Sequence, residues 1–180
     1  MADTFDPNWR IADDLGVFLA EWLVRNEPET IVEFGSGAST VQFAAYAAHT
    51  GASVTSYEQN FDYLHKTRQA LAAEALYASI HYAPVRNGWY HRDMVIATIP
   101  DNIDLALIDG PGPCPGRTRE PAMEYLHPRL AEGGLIVLDD GRREMEQLYV
   151  KHWVEQYDGL DVEYVDNAHG AYLIRKVNDG

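Results

Sequence analysis

At 180 residues the chain has room for one domain with a sizeable core and too little for two. Its 14 Lys and Arg stand against 28 Asp and Glu, a net charge of −14, which disfavours nucleic acid as a partner because phosphate backbones are held by clustered basic side chains. The single cysteine, Cys114, excludes an internal disulfide and a thiolate zinc cluster.

The amino-terminal stretch Met1-Ala2-Asp3-Thr4-Phe5-Asp6 is acidic and lacks the basic and apolar regions of an export signal. Residues 34–57 carry no Asp, Glu, Lys or Arg, but Gly, Ser, Thr, Gln and His interrupt them, so no membrane span is expected. A cytoplasmic protein follows as the default. Residues 10–25 place Ile11, Leu15, Phe18, Leu19, Trp22 and Leu23 at helical spacing, a helix laid against the domain and broken by Asn26-Glu27-Pro28-Glu29.

The stretch Thr30-Ile31-Val32-Glu33-Phe34-Gly35-Ser36-Gly37-Ala38-Ser39-Thr40-Val41 reads as a buried strand ending in an acid, a glycine turn and a helix start. Such a turn keeps side chains away and lets a ligand approach backbone N–H groups. The third glycine of the dinucleotide fingerprint is missing, since Ser39-Thr40 follows Gly37, and Glu33 would repel a pyrophosphate while suiting a cationic ammonium. A helix from Ser39 to about His49 follows, ended by Gly51. Ser53 to Glu58 is a second strand closing on an acid, and Asn60 can cap a helix carrying Phe61, Leu64, Leu71 and Leu76. Glu58 stands 21 positions after Gly37, where a strand-end acid can accept ribose hydroxyl protons.

Ser79 to Val85 is a weaker third strand, followed by the aromatic loop Asn87-Gly88-Trp89-Tyr90-His91-Arg92, which either walls a ligand or covers apolar surface. His81 and His91 lack metal-ligand spacing. Ile103 to Ile108, ending at Asp109, is the clearest buried strand, and the Pro- and Gly-rich loop 111–119 after it is irregular. Pro121 opens a helix with Met123, Leu126 and Leu130; Ala131-Glu132-Gly133-Gly134 turns into the strand Leu135 to Asp140. After Gly141 a helix is predicted with Met145, Leu148, Tyr149 and His152 on one face, and Leu160–Val165 and Ala171–Val177 form a terminal hairpin. Alternating strands and helices predict a three-layer α/β/α sandwich with a mostly parallel sheet.

With these parts in place, the chain resembles the class I, Rossmann-like S-adenosylmethionine-dependent methyltransferases. The likeness rests on the turn Glu33-Phe34-Gly35-Ser36-Gly37, the strand-end Glu58, the run Asp104 to Gly110, the Gly133-Gly134 entry to a strand, and the hairpin. It implies a seven-stranded sheet whose last strand runs against the others. It also implies that Glu33 and the turn Gly35, Ser36 and Gly37, with Ser39 and Thr40, meet the methionine end of the cofactor, that Glu58 with Gln59 takes the ribose, and that Asp109 lies beside the cofactor.

A narrower resemblance is to metal-assisted catechol-type O-methyltransferases and the small bacterial proteins related to them, in which Asp109, Asp139 and Asp140 match the positions that hold Mg²⁺ or another divalent cation. Physically, these acids would converge outside the carboxyl ends of neighbouring strands and repel one another without a cation or proton among them. The alternatives are that Asp139 or Asp140 caps the next helix and that Asp109 orients a loop. Methyl transfer then needs alignment and removal of a proton, with Asp109 as base or orienter when no metal acts. No lysine occupies the stretch immediately after Asp109, which speaks against a catechol-like acceptor. Arg117, Arg119, Arg142 and Arg143 either receive an acidic small-molecule acceptor or pair with nearby Asp and Glu. A homodimer is compatible with the sequence. The competing readings are a catalytically silent cofactor-binding module or partner subunit, and a nicotinamide-dependent oxidoreductase.

Overall fold

The computed structural model describes residue 5 and residues 11–177. The predicted helix start at residue 10, and residues 1–4 and 6 of the acidic amino terminus, lie outside the described residues.

Helix α1 (Asp13–Asn26) buries Leu15, Leu19 and Leu23, which recur every four residues on one face, while Asp13 and Asp14 in its first turn and Arg25 in its last suit the helix dipole. Strand β1 (Thr30–Phe34) leads into α2 (Ala38–Thr50), and β2 (Ser53–Glu58) into α3 (Phe61–Ala73). Asn60 caps α3 as its sequence position predicts, accepting from the N–H groups of Asp62 and Tyr63 at 2.9 and 3.2 Å. After β3 (Ser79–Tyr82) come the short strands β4 (Val85–Arg86) and β5 (Trp89–Tyr90), helix α4 (Arg92–Ile96), strand β6 (Ile103–Ile108) and helix α5 (Ala122–Leu126). Strand β7 (Leu130–Asp139), helix α6 (Glu144–Gln156) and strands β8 (Leu160–Val165) and β9 (Ala171–Lys176) complete the described order.

The main sheet has seven strands in the order β3-β2-β1-β6-β7-β9-β8. Pairings from β3 through β7 are parallel, and β9 runs antiparallel to both β7 and β8, as the sequence predicts. Both faces are covered, and strand periodicity sorts the core between them. Ile31, Leu105, Leu107 and Val137 pack toward α1 and α2 with Leu19 and Phe43, whereas Val32, Phe34, Ala106, Ile108 and Leu138 pack toward α5 and α6 with Met123, Leu126, Tyr149 and Trp153.

Three local expectations are corrected. Residues 79–85 are not one strand: β3 ends at Tyr82, and Val85-Arg86 folds back on Trp89-Tyr90 across Asn87-Gly88. Both turn residues have positive φ, 52° and 85°, the backbone of a two-residue hairpin. Of the two readings of the aromatic pair, covering apolar surface is the one seen, but buried rather than exposed: Trp89 and Tyr90 are 4% and 1% exposed against Phe34 and Tyr125 in the core. On α6 the inward face carries Glu146, Tyr149, Val150 and Trp153, while Met145 and Leu148 are exposed. Finally, β7 starts at Leu130, and Gly133-Gly134 lies in a register break, with Ile103 opposite Leu130 and Leu105 opposite Leu135.

Candidate active site

A cavity of about 320 Å³ opens at the carboxyl ends of the parallel strands, lined by the end of β1, the end of β2, the residues after β6, and the end of β7 with the hairpin residue His169. Parallel strands place such a crevice there because their loops rise from one edge of the sheet. Gly35, Ser36, Glu58, Gln59 and Asp109 line it, together with Asp139, Asp140 and Arg119. At Gly35 the turn requires glycine, because φ is +105° and an added Cβ would sit 3.0 Å from the Gly110 nitrogen.

Glu58 fastens the turn to the next strand. Its Oε2 accepts from the N–H and the hydroxyl of Ser36 at 2.8 and 3.0 Å, and its Oε1 from the N–H of Asn60 at 2.7 Å. Burial raises its pKa, against the lowering effect of those N–H groups. Gln59 turns its Oε1 into a buried position without a hydrogen-bond partner, an open acceptor on a residue that lines the cavity.

Glu33, Gly37, Ser39 and Thr40 do not line the cavity with the other residues predicted to meet the cofactor. Glu33 is 0% exposed and lies behind the turn. Ser39 Oγ and Thr40 Oγ1 each donate to it at 2.5 Å, and Ser56 Oγ donates at 2.8 Å. Thr40 Oγ1 also accepts from Gly37 N–H at 2.9 Å. The reason for this placement is strand periodicity: Glu33 shares the face of Ile31, beneath α2, so its carboxylate ties the start of that helix to β2. Burial pushes its pKa up to about 7, opposed by the three hydroxyl donors.

The acids beyond β6 and β7 converge as predicted, but around a side chain. Arg119 is only 3% exposed, and its guanidinium donates to the main-chain oxygens of Asp109 and Asp139 and, at 2.9 Å, to Asp140 Oδ2. It also lies 3.7 Å from Asp109 Oδ1 and 3.7 Å from Glu146 Oε1. Arg143 reaches the same Asp140 oxygen at 2.7 Å. Burial, then the charge of Asp139, pushes Asp109 up to about 7; burial, then Asp140, pushes Asp139 up to about 6.

This donor set does not fit the divalent cation that the narrower resemblance implies at Asp109, Asp139 and Asp140. Asp139, Asp140 and His169 bring ligand atoms within 4.8 Å of one another, and Asp109 is not among them. Asp139 Oδ1 accepts from Asp140 N–H at 2.7 Å, and both guanidiniums share Asp140 Oδ2. Two unit charges 4 Å apart repel by about 4 kcal/mol at an effective dielectric constant near 20, so a doubly charged ion would meet about twice that from each guanidinium at such a distance.

Sequence reasoning left Arg119 undecided between an acceptor and internal pairing; it pairs internally, as does Arg143, and Arg142 bonds Asp166 at 2.9 Å. His169 was missed, although β9 pairs Ala171 with Asp139 and so returns the hairpin to this edge of the sheet. A second hollow of about 570 Å³ adjoins the first, shares Pro113, Arg119 and Arg143 with it, and reaches Met145 and Tyr149 of α6.

A glycine turn after the first strand, acids at the ends of its neighbours and a reversed last strand define a class I methyltransferase fold. Residues 32–141 match the family described as a methyltransferase domain, and the chain belongs to that family. The fold is shared with SAH-bound PaMTH1, a methyltransferase of Podospora anserina, at TM-score 0.74 and 15% identity, covering 97% of this chain and 84% of that one. It is shared equally with an O-methyltransferase of Bacillus cereus in complex with SAH, at TM-score 0.72 and 16% identity over 93% and 83%. TomG, an O-methyltransferase of Streptomyces achromogenes in complex with SAM, gives TM-score 0.73 and 13% identity over 96% and 83%. Among curated proteins none matches. No helix among the described residues is long and apolar enough to cross a membrane.

Proposed function

We propose that this protein transfers a methyl group from S-adenosylmethionine to a hydroxyl oxygen of a small molecule. The observation that carries the reading is the cavity in which Gly35 and Ser36, Glu58 and Gln59, and Asp109 come together from three strand ends. Structural relatives of this fold have been solved with SAM or SAH, and two of the three compared above are O-methyltransferases.

In this reading the Ser36 backbone and Gln59 fix the cofactor, while Glu58, whose oxygens are already oriented by Ser36 and Asn60, accepts from the ribose hydroxyls. S-adenosylmethionine supplies a methyl carbon activated by a positive sulfur. The acceptor oxygen forms the new bond as the carbon–sulfur bond breaks, its electron pair staying on sulfur, so the protein must align the acceptor and receive one proton. Asp109, with a pKa near 7, is suited to take that proton at neutral pH. Its carboxylate also complements the cationic cofactor. The acceptor enters by the adjoining hollow, where Arg117 gives an acceptor carboxylate a partner and Met145 and Tyr149 give it apolar contact.

Release of S-adenosylhomocysteine over a panel of hydroxylated acids and their neutral analogues tests the reading. Turnover lost in Asp109→Asn, with cofactor affinity measured alongside, supports it. Cofactor binding without turnover across the panel would instead favour the silent module, and saturable binding of NAD without S-adenosylmethionine would remove methyl transfer altogether.

A further inference from the structure

We propose that Arg119 occupies the place of a divalent cation, so that the crevice between the ends of β6 and β7 works without a bound metal. Four carboxylates, those of Asp109, Asp139, Asp140 and Glu146, lie around this crevice, and the Arg119 guanidinium reaches three of them as well as the main-chain oxygens that end both strands. At 3% exposure it is a fixed part of the site rather than a surface charge that could swing away. Its planar fork suits this: one nitrogen serves the Asp139 carbonyl and Glu146, the other the Asp109 carbonyl and Asp140.

Arg143 adds a second positive charge on Asp140 from the start of α6. Asp109 and Asp139 face the cavity that we assign to a cationic cofactor. Arg119 is thus a positioning residue, which holds the main chain at Asp109 and sets a positive charge among the carboxylates that a metal would need. The assignment of the cavity rests on the methyltransferase reading; the exclusion of metal does not.

The test titrates Mg²⁺, Mn²⁺ and Ca²⁺ into chelator-treated full-length protein by calorimetry, with and without S-adenosylmethionine. The wild-type protein is expected to show no saturable cation site in this crevice. Arg119→Met is expected to gain one, binding Mn²⁺ about tenfold tighter or more, and the further change Asp140→Asn should remove it. Arg119→Lys, which keeps the charge, should stay without the site. Saturable wild-type binding that Asp139→Asn or Asp140→Asn abolishes overturns the proposal; heat that survives both changes comes from elsewhere and upholds it. If Arg119→Met folds yet gains no site, the guanidinium is not what excludes the ion and the proposal fails. If that variant does not fold, the wild-type titration with the two Asp variants decides alone. Failure of the cofactor to bind in the same titrations would sink the methyltransferase reading and leave the metal result standing.

Discussion

Glu33 and Glu58 are both strand-end acids, yet they serve the glycine turn from opposite sides. Glu33 holds it from behind through three hydroxyls, and Glu58 holds it from the cavity through Ser36. Glu33→Ala should therefore act on stability: it leaves Ser39, Thr40 and Ser56 without their buried acceptor, and orphaned buried polar groups cost about 1–3 kcal/mol each. A denaturant midpoint equal to that of the wild type would contradict this. Glu58→Ala should act on affinity, weakening S-adenosylmethionine by about 1–3 kcal/mol, or roughly fivefold to over a hundredfold in Kd. An unaltered Kd would remove Glu58 from the site. A residue-level reading of the sequence finds both acids and their separation, but it cannot tell which faces the cavity. That follows from strand register, which puts Glu33 on the face of Ile31 beneath α2.

Among the elements, the β4–β5 hairpin shows how a structural piece shapes the site without lining it. Gly88 has φ +85°, and a Cβ there would lie 2.6 Å from the Gly116 carbonyl oxygen; its own carbonyl accepts from Thr118 N–H at 2.9 Å. The hairpin thus pins the loop that delivers Arg119. Gly88→Ala should lower stability by about 1–2 kcal/mol from the left-handed backbone alone, more where the Gly116 contact cannot relax. Thermal unfolding checks it, and a melting temperature within error of the wild type would refute the strain. Asn87-Gly88 is a sequence signal for a two-residue turn, whereas the flanking aromatics read more readily as a loop. The inward face of α6 was one position off for a related reason: Met145 and Leu148 are apolar but exposed, while Glu146 points inward because Arg119 and Arg143 meet it.

At the scale of the molecule, the mostly parallel sheet was legible because strand and helix periodicities alternate so regularly, and the terminal hairpin because its loop is short; the reversal of the last strand against the rest of the sheet was implied by the family resemblance. The contents of the crevice were not, because Arg119 and His169 reach it through tertiary packing of loops far apart in sequence. Glu33 and Asp109 have pKa values raised to about 7 and Asp139 to about 6, from ordinary values of 4.5, 3.8 and 3.8. The folded chain therefore holds these protons more tightly than the unfolded one. Each group contributes stability that is fully present below the ordinary carboxylate range and is lost as pH rises through 6 to 7. Without cofactor, the melting temperature should fall between about pH 5 and about pH 8, and less steeply in Asp109→Asn. A cationic ligand beside Asp109 favours its ionised form, so S-adenosylmethionine should bind more tightly as pH rises across the same interval.

The most direct test of the account is calorimetric titration of the wild-type protein with S-adenosylmethionine, and with NAD as the control, at neutral pH. We expect saturable binding of one S-adenosylmethionine per chain and none of NAD. An absence of saturable heat with S-adenosylmethionine would contradict the assignment of the cavity, and with it the proposed chemistry.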